Sequence, residues 1–129
     1  MAHNQNYSIM LVEDNQVLCD SILDLLSIRG FRNVSAFRDA FDAVSYFKQS
    51  LPDLAVLDVE ISGLSGLDLL IELKSIKPNL PVIMMSSCHT KNVILKACES
   101  GAESFFPKPL DTEMFCRKVE SILNNIDFF

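Results

Sequence analysis

Acidic residues follow or close two of the short apolar segments of this sequence. Glu13 and Asp14 follow the run YSIMLV, and Asp58 ends the run DLAVLD. A buried carboxylate costs free energy unless a cation or hydrogen bonds compensate it. Carboxylates at these positions therefore favour a chemical role over a purely structural one.

Hydroxyl and ammonium groups hold the equivalent positions of two later segments. Ser86 and Ser87 end the run PVIMMSS. Lys108 ends the run ESFFPK, and Pro109 is the next residue. In open α/β sheets the working crevice lies beyond the carboxyl ends of the strands. We therefore expect these groups to converge there with the three carboxylates.

A divalent cation is the simplest compensation for such a crevice. Two like charges ~4 Å apart repel by ~4 kcal/mol at an effective dielectric of about 20, so three carboxylates need a cation or protonation. An all-oxygen ligand set suits Mg²⁺, with Mn²⁺ as the alternative, and Mg²⁺ accepts phosphate oxygens as further ligands. The crevice is then expected to receive a phosphoryl group. Lys108 would neutralise one of its oxygens, Ser86 would donate a hydrogen bond to another, and Asp58 would attack phosphorus.

Apolar runs alternate with segments of helical period along the whole chain. The runs are short and suit strands that are covered on both faces, and they lie at 7–12, 32–37, 53–58, 81–87 and 103–108. The helical segments lie at 15–29, 39–49, 65–76, 90–100 and 111–126. This alternation predicts one domain over residues 1–129, with a doubly wound five-stranded parallel sheet and five helices, an α/β fold.

The helical periods also predict the caps and the buried faces. Asp39, Thr90 and Asp111 are expected to start the second, fourth and fifth helices, and Gly30 and Gly101 to end the first and fourth. The side chains expected to face inward are Leu18, Ile22, Leu25, Leu26, Ala40, Val44, Phe47, Leu67, Leu70, Ile71, Ile94, Ala97, Cys98, Phe115, Val119, Ile122 and Ile126.

Composition excludes several functional classes. The net charge of -6 repels polyanions, and the basic residues form no run, so we expect no direct binding of nucleic acid. The apolar runs are too short to span a bilayer and no leader opens the chain, which favours a cytoplasmic protein without membrane contact. The cysteines lack metal-ligand spacing and are expected to be buried or half-buried thiols; they are Cys19, Cys88, Cys98 and Cys116.

The strand ends carry, in chain order, the acidic pair Glu13-Asp14, then Asp58, Ser86 and the KP at 108–109. With these residues in this order on these elements, the chain resembles the receiver domain of bacterial two-component response regulators, including the single-domain chemotaxis type. The resemblance covers about residues 7–124. It implies the sheet order 2-1-3-4-5 and a cis Lys108-Pro109 bond. It also implies that Asp58 takes a phosphoryl group from the phosphohistidine of a histidine kinase or phosphotransfer protein. Such a domain is not an enzyme beyond promoting its own phosphorylation and slow dephosphorylation.

The same resemblance implies a metal site and two flanking residues. Mg²⁺ would be held by Asp14, Asp58 and the backbone carbonyl of Glu60, with Glu13 acting largely through water. Glu60 and Cys88 fall at positions that flank the phosphoryl group in this family. We hypothesise that the charge of Glu60 affects the lifetime of the phosphorylated state.

The resemblance also implies a switch. Ser86 matches the conserved hydroxyl residue, and Phe105 matches the switch aromatic, which is commonly Tyr. Because Phe105 has no hydroxyl, its switching is expected to rest on packing alone. Phosphorylation would change the affinity of the surface formed by the fourth helix, fifth strand and fifth helix for a downstream protein or a second copy. No output module follows the fifth helix, so the output is expected to lie elsewhere.

Some residues depart from the family pattern or are ambiguous. Ile61-Ser62-Gly63 replaces the common Met-Pro-Gly, so this loop is expected to be more mobile. Gly63 and Gly66 are expected to use left-handed backbone conformations. Asp14 has an alternative role as the cap of the first helix. The terminal Phe128 and Phe129 are expected to pack back on the domain, contact a partner or mark the point where a longer protein was cut.

Three other functions fit these residues less well. A phosphatase of the haloacid dehalogenase type would need an aspartate where this chain has Glu60. A flavin carrier would need a hydroxyl- and glycine-rich loop after the first strand, where VEDNQ would repel phosphate. A pure interaction domain would not need the complete set of Asp58, Ser86 and Lys108.

Overall fold

Five strands and five helices alternate along the chain. The structure, a computed structural model, describes residues 6–61 and 64–126. The elements are β1 (Ser8–Val12), α1 (Gln16–Ile28), β2 (Asn33–Phe37), α2 (Ala40–Ser50), β3 (Leu54–Asp58), α3 (Gly66–Ile76), β4 (Val82–Ser86), α4 (Lys91–Glu99), β5 (Ser104–Pro107) and α5 (Thr112–Ile126). All ten predicted elements are present. The expectations for Ser62, Gly63, Phe128 and Phe129 concern residues outside the described part of the chain.

The five strands form one parallel sheet in the order β2-β1-β3-β4-β5. This confirms the predicted topology. Val12 of β1 pairs with Leu57 of β3, so the next residues along the two strands, Glu13 and Asp58, are neighbours at the carboxyl edge. Ser86 of β4 pairs with Pro107 of β5, which brings Lys108 to the same edge.

Two hydrophobic cores cover the two faces of the sheet. Ile9 and Leu11 of β1 pack with α1 and α5, whereas Met10 and Val12 pack with α2, α3 and α4. Because both faces are covered, the central strands are apolar without alternation. None of the helices in the described ranges combines the length and the apolarity that crossing a membrane requires.

The helix ends follow the predicted chemistry. Asp39 and Thr90 accept hydrogen bonds from backbone N–H groups in the first turns of α2 and α4, and Asp111 does the same for α5. Gly30 and Gly101 have φ of 94° and 102°, which is the left-handed conformation expected after a helix end.

The first helix, however, is capped by Asn15. Its Oδ1 accepts a hydrogen bond from the N–H of Leu18 at 3.1 Å. The alternative role of Asp14 as the cap is therefore wrong. Its carboxylate is available for the crevice at the sheet edge.

Most of the predicted inward faces are confirmed, with corrections in α3 and α4. Ile71 is 48% exposed, because α3 buries Leu69 and Leu73 beside the expected Leu67 and Leu70 and so turns a different side to the sheet. In α4 the buried residue is Ala97. Cys98, expected to be buried, is exposed because it lies about 100° further round the helix. Cys88 is exposed as well, in the loop after β4.

Candidate functional site

The carboxyl edge of the sheet brings the predicted polar residues into one crevice. Glu13, Asp58 and Ser86 are buried, with at most 2% of each residue exposed, although all three are polar. Carboxylate oxygens of Glu13, Asp14 and Asp58 lie within 4.8 Å of one another, and Asp14 is the partly exposed member. Three acids from two strand ends therefore meet at one point.

Lys108 bridges two of these acids. Its Nζ lies 2.7 Å from Oδ2 of Asp58 and 2.9 Å from Oε1 of Glu13. Burial disfavours the charged ammonium, but the hydrogen bond to Asp58 and the ion pair with Glu13 outweigh it and raise the pKa of Lys108. The Lys108-Pro109 peptide bond is cis, as the resemblance implies.

Asp58 remains short of positive charge in spite of this contact. Burial raises the pKa of Asp58 to about 6, against the hydrogen bonds that it accepts from Lys108 and from the backbone N–H of Glu60, and the charge of Glu13 adds to the increase. The Glu60 N–H lies 3.0 Å from Oδ1 of Asp58. One ammonium thus does not balance the acids of the crevice.

The oxygen atoms of the crevice fit a hard divalent cation. Asp14 and Asp58 offer carboxylates at short separation, and burial raises the pKa of Asp58 to about 6, so a cation beside it would favour the ionised form. Carboxylate and carbonyl oxygens with room for water are the ligands that Mg²⁺ accepts, and Mn²⁺ accepts the same set.

Backbone contacts hold the acids in place. The N–H of Asn15 donates to Oε2 of Glu13 at 3.0 Å, so the start of α1 orients this carboxylate. The N–H of Gly66 donates to the carbonyl oxygen of Val59 at 2.8 Å, which ties the start of α3 to the end of β3.

Gly66 is required by this close approach. A Cβ there would collide with the carbonyl oxygen of Asp58 and lie 2.7 Å from Cα of Val59. Gly66 does not have the positive φ that the sequence led us to expect, since only Gly30 and Gly101 among the described glycines do. Gly66 is required because the start of α3 lies close to the backbone of β3, and not because of a left-handed turn.

Ser86 contacts a residue that the sequence did not indicate as its partner. Its Oγ lies 2.6 Å from Oε2 of Glu60 and 2.8 Å from the carbonyl oxygen of Cys88, and it accepts a hydrogen bond from the N–H of Cys88 at 2.9 Å. Ser87 Oγ donates to Oε1 of Glu60 at 3.1 Å. The Glu60 carboxylate therefore spans two hydroxyl groups beside the crevice.

Two further residues complete the surroundings. Arg38, which directly follows β2, donates from Nη2 to the backbone carbonyl of Asp14 at 3.3 Å. Sequence reasoning missed Arg38, although its place after a strand was the signal that could have found it. Phe105 is half-buried in β5 and packs against the core that contains α2, α3 and α4.

Comparison with known proteins identifies the family. The model of the response regulator receiver domain matches residues 9–120. The chemotaxis protein CheY of Bacillus subtilis (strain 168) is 28% identical over 124 residues, which are 96% of this chain and 100% of CheY. The transcriptional regulatory protein CreB of Escherichia coli (strain K12) is 28% identical over 125 residues, 97% of this chain and 54% of CreB. The chain thus spans about half the length of CreB and the full length of CheY.

Solved structures share the fold. A CheY-like response regulator receiver domain protein from Methanospirillum hungatei JF-1 superimposes with a TM-score of 0.87 at 20% identity, covering 92% of this chain and 94% of that one. The BeF3-activated receiver domain of DrrB gives a TM-score of 0.84 at 23% identity, covering 92% and 97%. With the family match over most of its length, the chain belongs to the response regulator receiver domains, the signalling domains of two-component systems.

Proposed function

We propose that this chain is a phosphorylation-controlled switch in which Asp58 accepts a phosphoryl group from the phosphohistidine of a histidine kinase or phosphotransfer protein. The observation that carries the proposal is the crevice itself. Asp58 is a buried carboxylate at a strand end, 2.7 Å from the ammonium of Lys108 and grouped with Glu13 and Asp14.

Asp14, Asp58 and the backbone carbonyl of Glu60 would hold Mg²⁺ or Mn²⁺, with Glu13 acting largely through water. The bound ion would supply the positive charge that phosphoryl oxygens need beside three carboxylates. The chain's own contribution is the fixed geometry of these oxygens, set by the sheet register and the N–H of Asn15.

The transfer step forms one bond and breaks another. A carboxylate oxygen of Asp58 attacks phosphorus, a P–O bond forms, and the P–N bond to the donor imidazole breaks with its electron pair going to the imidazole nitrogen. Lys108 is already within 2.7 Å of Asp58, so its ammonium is placed to meet a phosphoryl oxygen. Ser86, at the end of the neighbouring strand, would donate a hydrogen bond to another phosphoryl oxygen.

The output would follow from this rearrangement. Movement of Ser86 towards the phosphoryl group would alter the packing of Phe105, and with it the surface of α4, β5 and α5. That surface would bind a downstream protein or a second copy of the chain. We also propose that residues 1–129 form a single receiver domain acting in the cytoplasm, and that Glu60 affects the lifetime of the phosphorylated state.

Acetyl phosphate tests the assignment without the cognate kinase. Incubation with Mg²⁺ is expected to add one phosphoryl group to the protein by intact mass, and a chelator is expected to prevent it. Borohydride reduction of the labelled protein should convert residue 58 from aspartyl phosphate to homoserine, which peptide sequencing by mass spectrometry detects. Labelling of a different residue, or equal labelling with the chelator, would contradict the proposal.

A further inference from the structure

The hydroxyl group of Ser86 is already engaged in the structure. Ser86 is fully buried, and the nearest acceptor for its single proton is the Glu60 carboxylate at 2.6 Å, with the Cys88 carbonyl at 2.8 Å as the alternative acceptor. The second oxygen of the same carboxylate accepts from Ser87 at 3.1 Å. An ionised acceptor makes such hydrogen bonds stronger than neutral ones.

The Glu60 carboxylate therefore makes the kind of contact that a phosphoryl group would make. It is an anion whose two oxygens each accept from a hydroxyl group beside the crevice, one from Ser86 and one from Ser87. Glu60 also contacts Asp58, the proposed phosphoryl acceptor, because the backbone N–H of Glu60 donates to Oδ1 of Asp58 at 3.0 Å. Residues 58–60 thus carry both the phosphoryl acceptor, Asp58, and a carboxylate that can compete with the phosphoryl group for the Ser86 hydroxyl.

We propose that Glu60, Ser86 and Ser87 form a latch, in which the Glu60 carboxylate holds the Ser86 hydroxyl in the unphosphorylated protein and competes with the phosphoryl group for it. This inference rests on the proposed function, since it assumes that Ser86 turns to the phosphoryl group. One O–H donates to one strong acceptor at a time, so the exchange must break the contact with Glu60. Glu60 is exposed, and water can solvate its carboxylate after release.

The latch opposes the phosphorylated conformation, and Glu60 acts in it as a positioning residue. Removing the Glu60 side chain is then expected to favour binding of phosphoryl-like ligands. The loss of a negative charge near the crevice would act in the same direction. The two causes differ in one respect: only the latch requires the hydroxyl of Ser86.

A double-mutant cycle separates these causes. The probe is beryllium fluoride with saturating Mg²⁺, and its dissociation constant is measured by titration calorimetry for wild type, Glu60→Ala, Ser86→Ala and the double variant. We expect Glu60→Ala to tighten binding about tenfold when Ser86 is present, the factor typical of one hydrogen bond, and about twofold or less in the Ser86→Ala background. Equal tightening in both backgrounds, or none in either, would overturn the latch.

Glu103→Ala provides a matched control, because Glu103 is an exposed acid that precedes β5 at the opposite edge of the sheet. It is expected to leave the dissociation constant unchanged. In the absence of ligand, Glu60→Ala should also shift the amide resonance of Cys88, whose N–H donates to Ser86. An unchanged resonance would count against the latch.

The two proposals fail in different ways. A wild-type protein that neither binds beryllium fluoride nor is labelled at Asp58 would overturn the proposed function, and the latch with it. A wild-type protein that does both, combined with no difference between the two backgrounds, would overturn the latch alone.

Discussion

Replacing Asp58 with asparagine is expected to abolish labelling by acetyl phosphate. A neutral amide does not attack phosphorus as a carboxylate does, and among the described residues Asp58 is the acid that combines burial, a strand-end position and a 2.7 Å contact with Lys108. The measurement is intact mass after incubation with Mg²⁺ and acetyl phosphate. Asp24→Asn is the matched control, because Asp24 is exposed on α1, and it should be labelled like wild type. Labelling of Asp58→Asn at the wild-type level would refute the assignment.

The same variant should stabilise the metal-free protein at neutral pH. The pKa of Asp58 is raised to about 6, so folding favours its protonated form. Its contribution to stability is complete below the ordinary pKa near 3.8 and is lost as the pH rises through about 6. Above pH 7 the wild-type protein carries the cost of an ionised buried acid, which asparagine avoids.

The size of this gain follows from the shift. A pKa raised to about 6 corresponds to at most ~3 kcal/mol. Asparagine also loses the ion pair with Lys108, so the expected net gain is about 1 to 2 kcal/mol. Urea unfolding with a chelator at pH 7.5 and pH 4.5 measures it. We expect Asp58→Asn to be more stable than wild type at the higher pH and to lose that advantage at the lower pH. A less stable variant at pH 7.5 would contradict the charge imbalance described for the crevice.

Gly66→Ala is expected to lower the free energy of unfolding by about 3 kcal/mol. Alanine would gain helix propensity at the start of α3, worth less than ~1 kcal/mol, but its Cβ would collide with the carbonyl oxygen of Asp58. The atoms it meets are backbone atoms and cannot rotate away. The end of β3 must move, and a displacement of ~1 Å at a reacting group can cost about 100-fold in rate. Urea unfolding and the initial rate of acetyl phosphate labelling measure the two effects.

Gly101→Ala is the comparison for this variant. Gly101 has a φ of 102°, so alanine is strained there by about 1 to 2 kcal/mol, but its Cβ would meet the flexible end of the Lys74 side chain, 2.9 Å from Cε. Gly101 precedes β5, away from the crevice, and labelling should be unchanged. If both variants labelled at the wild-type rate, close packing at Gly66 would not matter for the site.

The elements and the crevice could be predicted because each rests on a local signal. Continuous apolar runs indicate strands covered on both faces, and parallel strands bring their carboxyl ends to one edge. Polar residues that end such runs must therefore meet. Glu13, Asp58, Ser86 and Lys108 needed no further information to be placed there.

The remaining features depend on distances that the sequence does not encode locally. The contact of Ser86 with Glu60 joins residues 26 positions apart and depends on side-chain rotamers. Gly66 has a packing role that becomes visible only when α3 is placed against β3. The exposure of Ile71 and Cys98 depends on how far each helix is rotated about its axis, which a helical period leaves uncertain by a residue.

The shallow seating of α4 has a thermodynamic consequence. This helix of nine residues buries Ala97, whereas α3, with eleven residues, buries five. The free energy of local opening follows the apolar surface that an opening exposes, so we expect α4 to open locally at a lower free energy than α3. We therefore expect a given bias from the crevice to redistribute the native ensemble at α4 more readily than at α3.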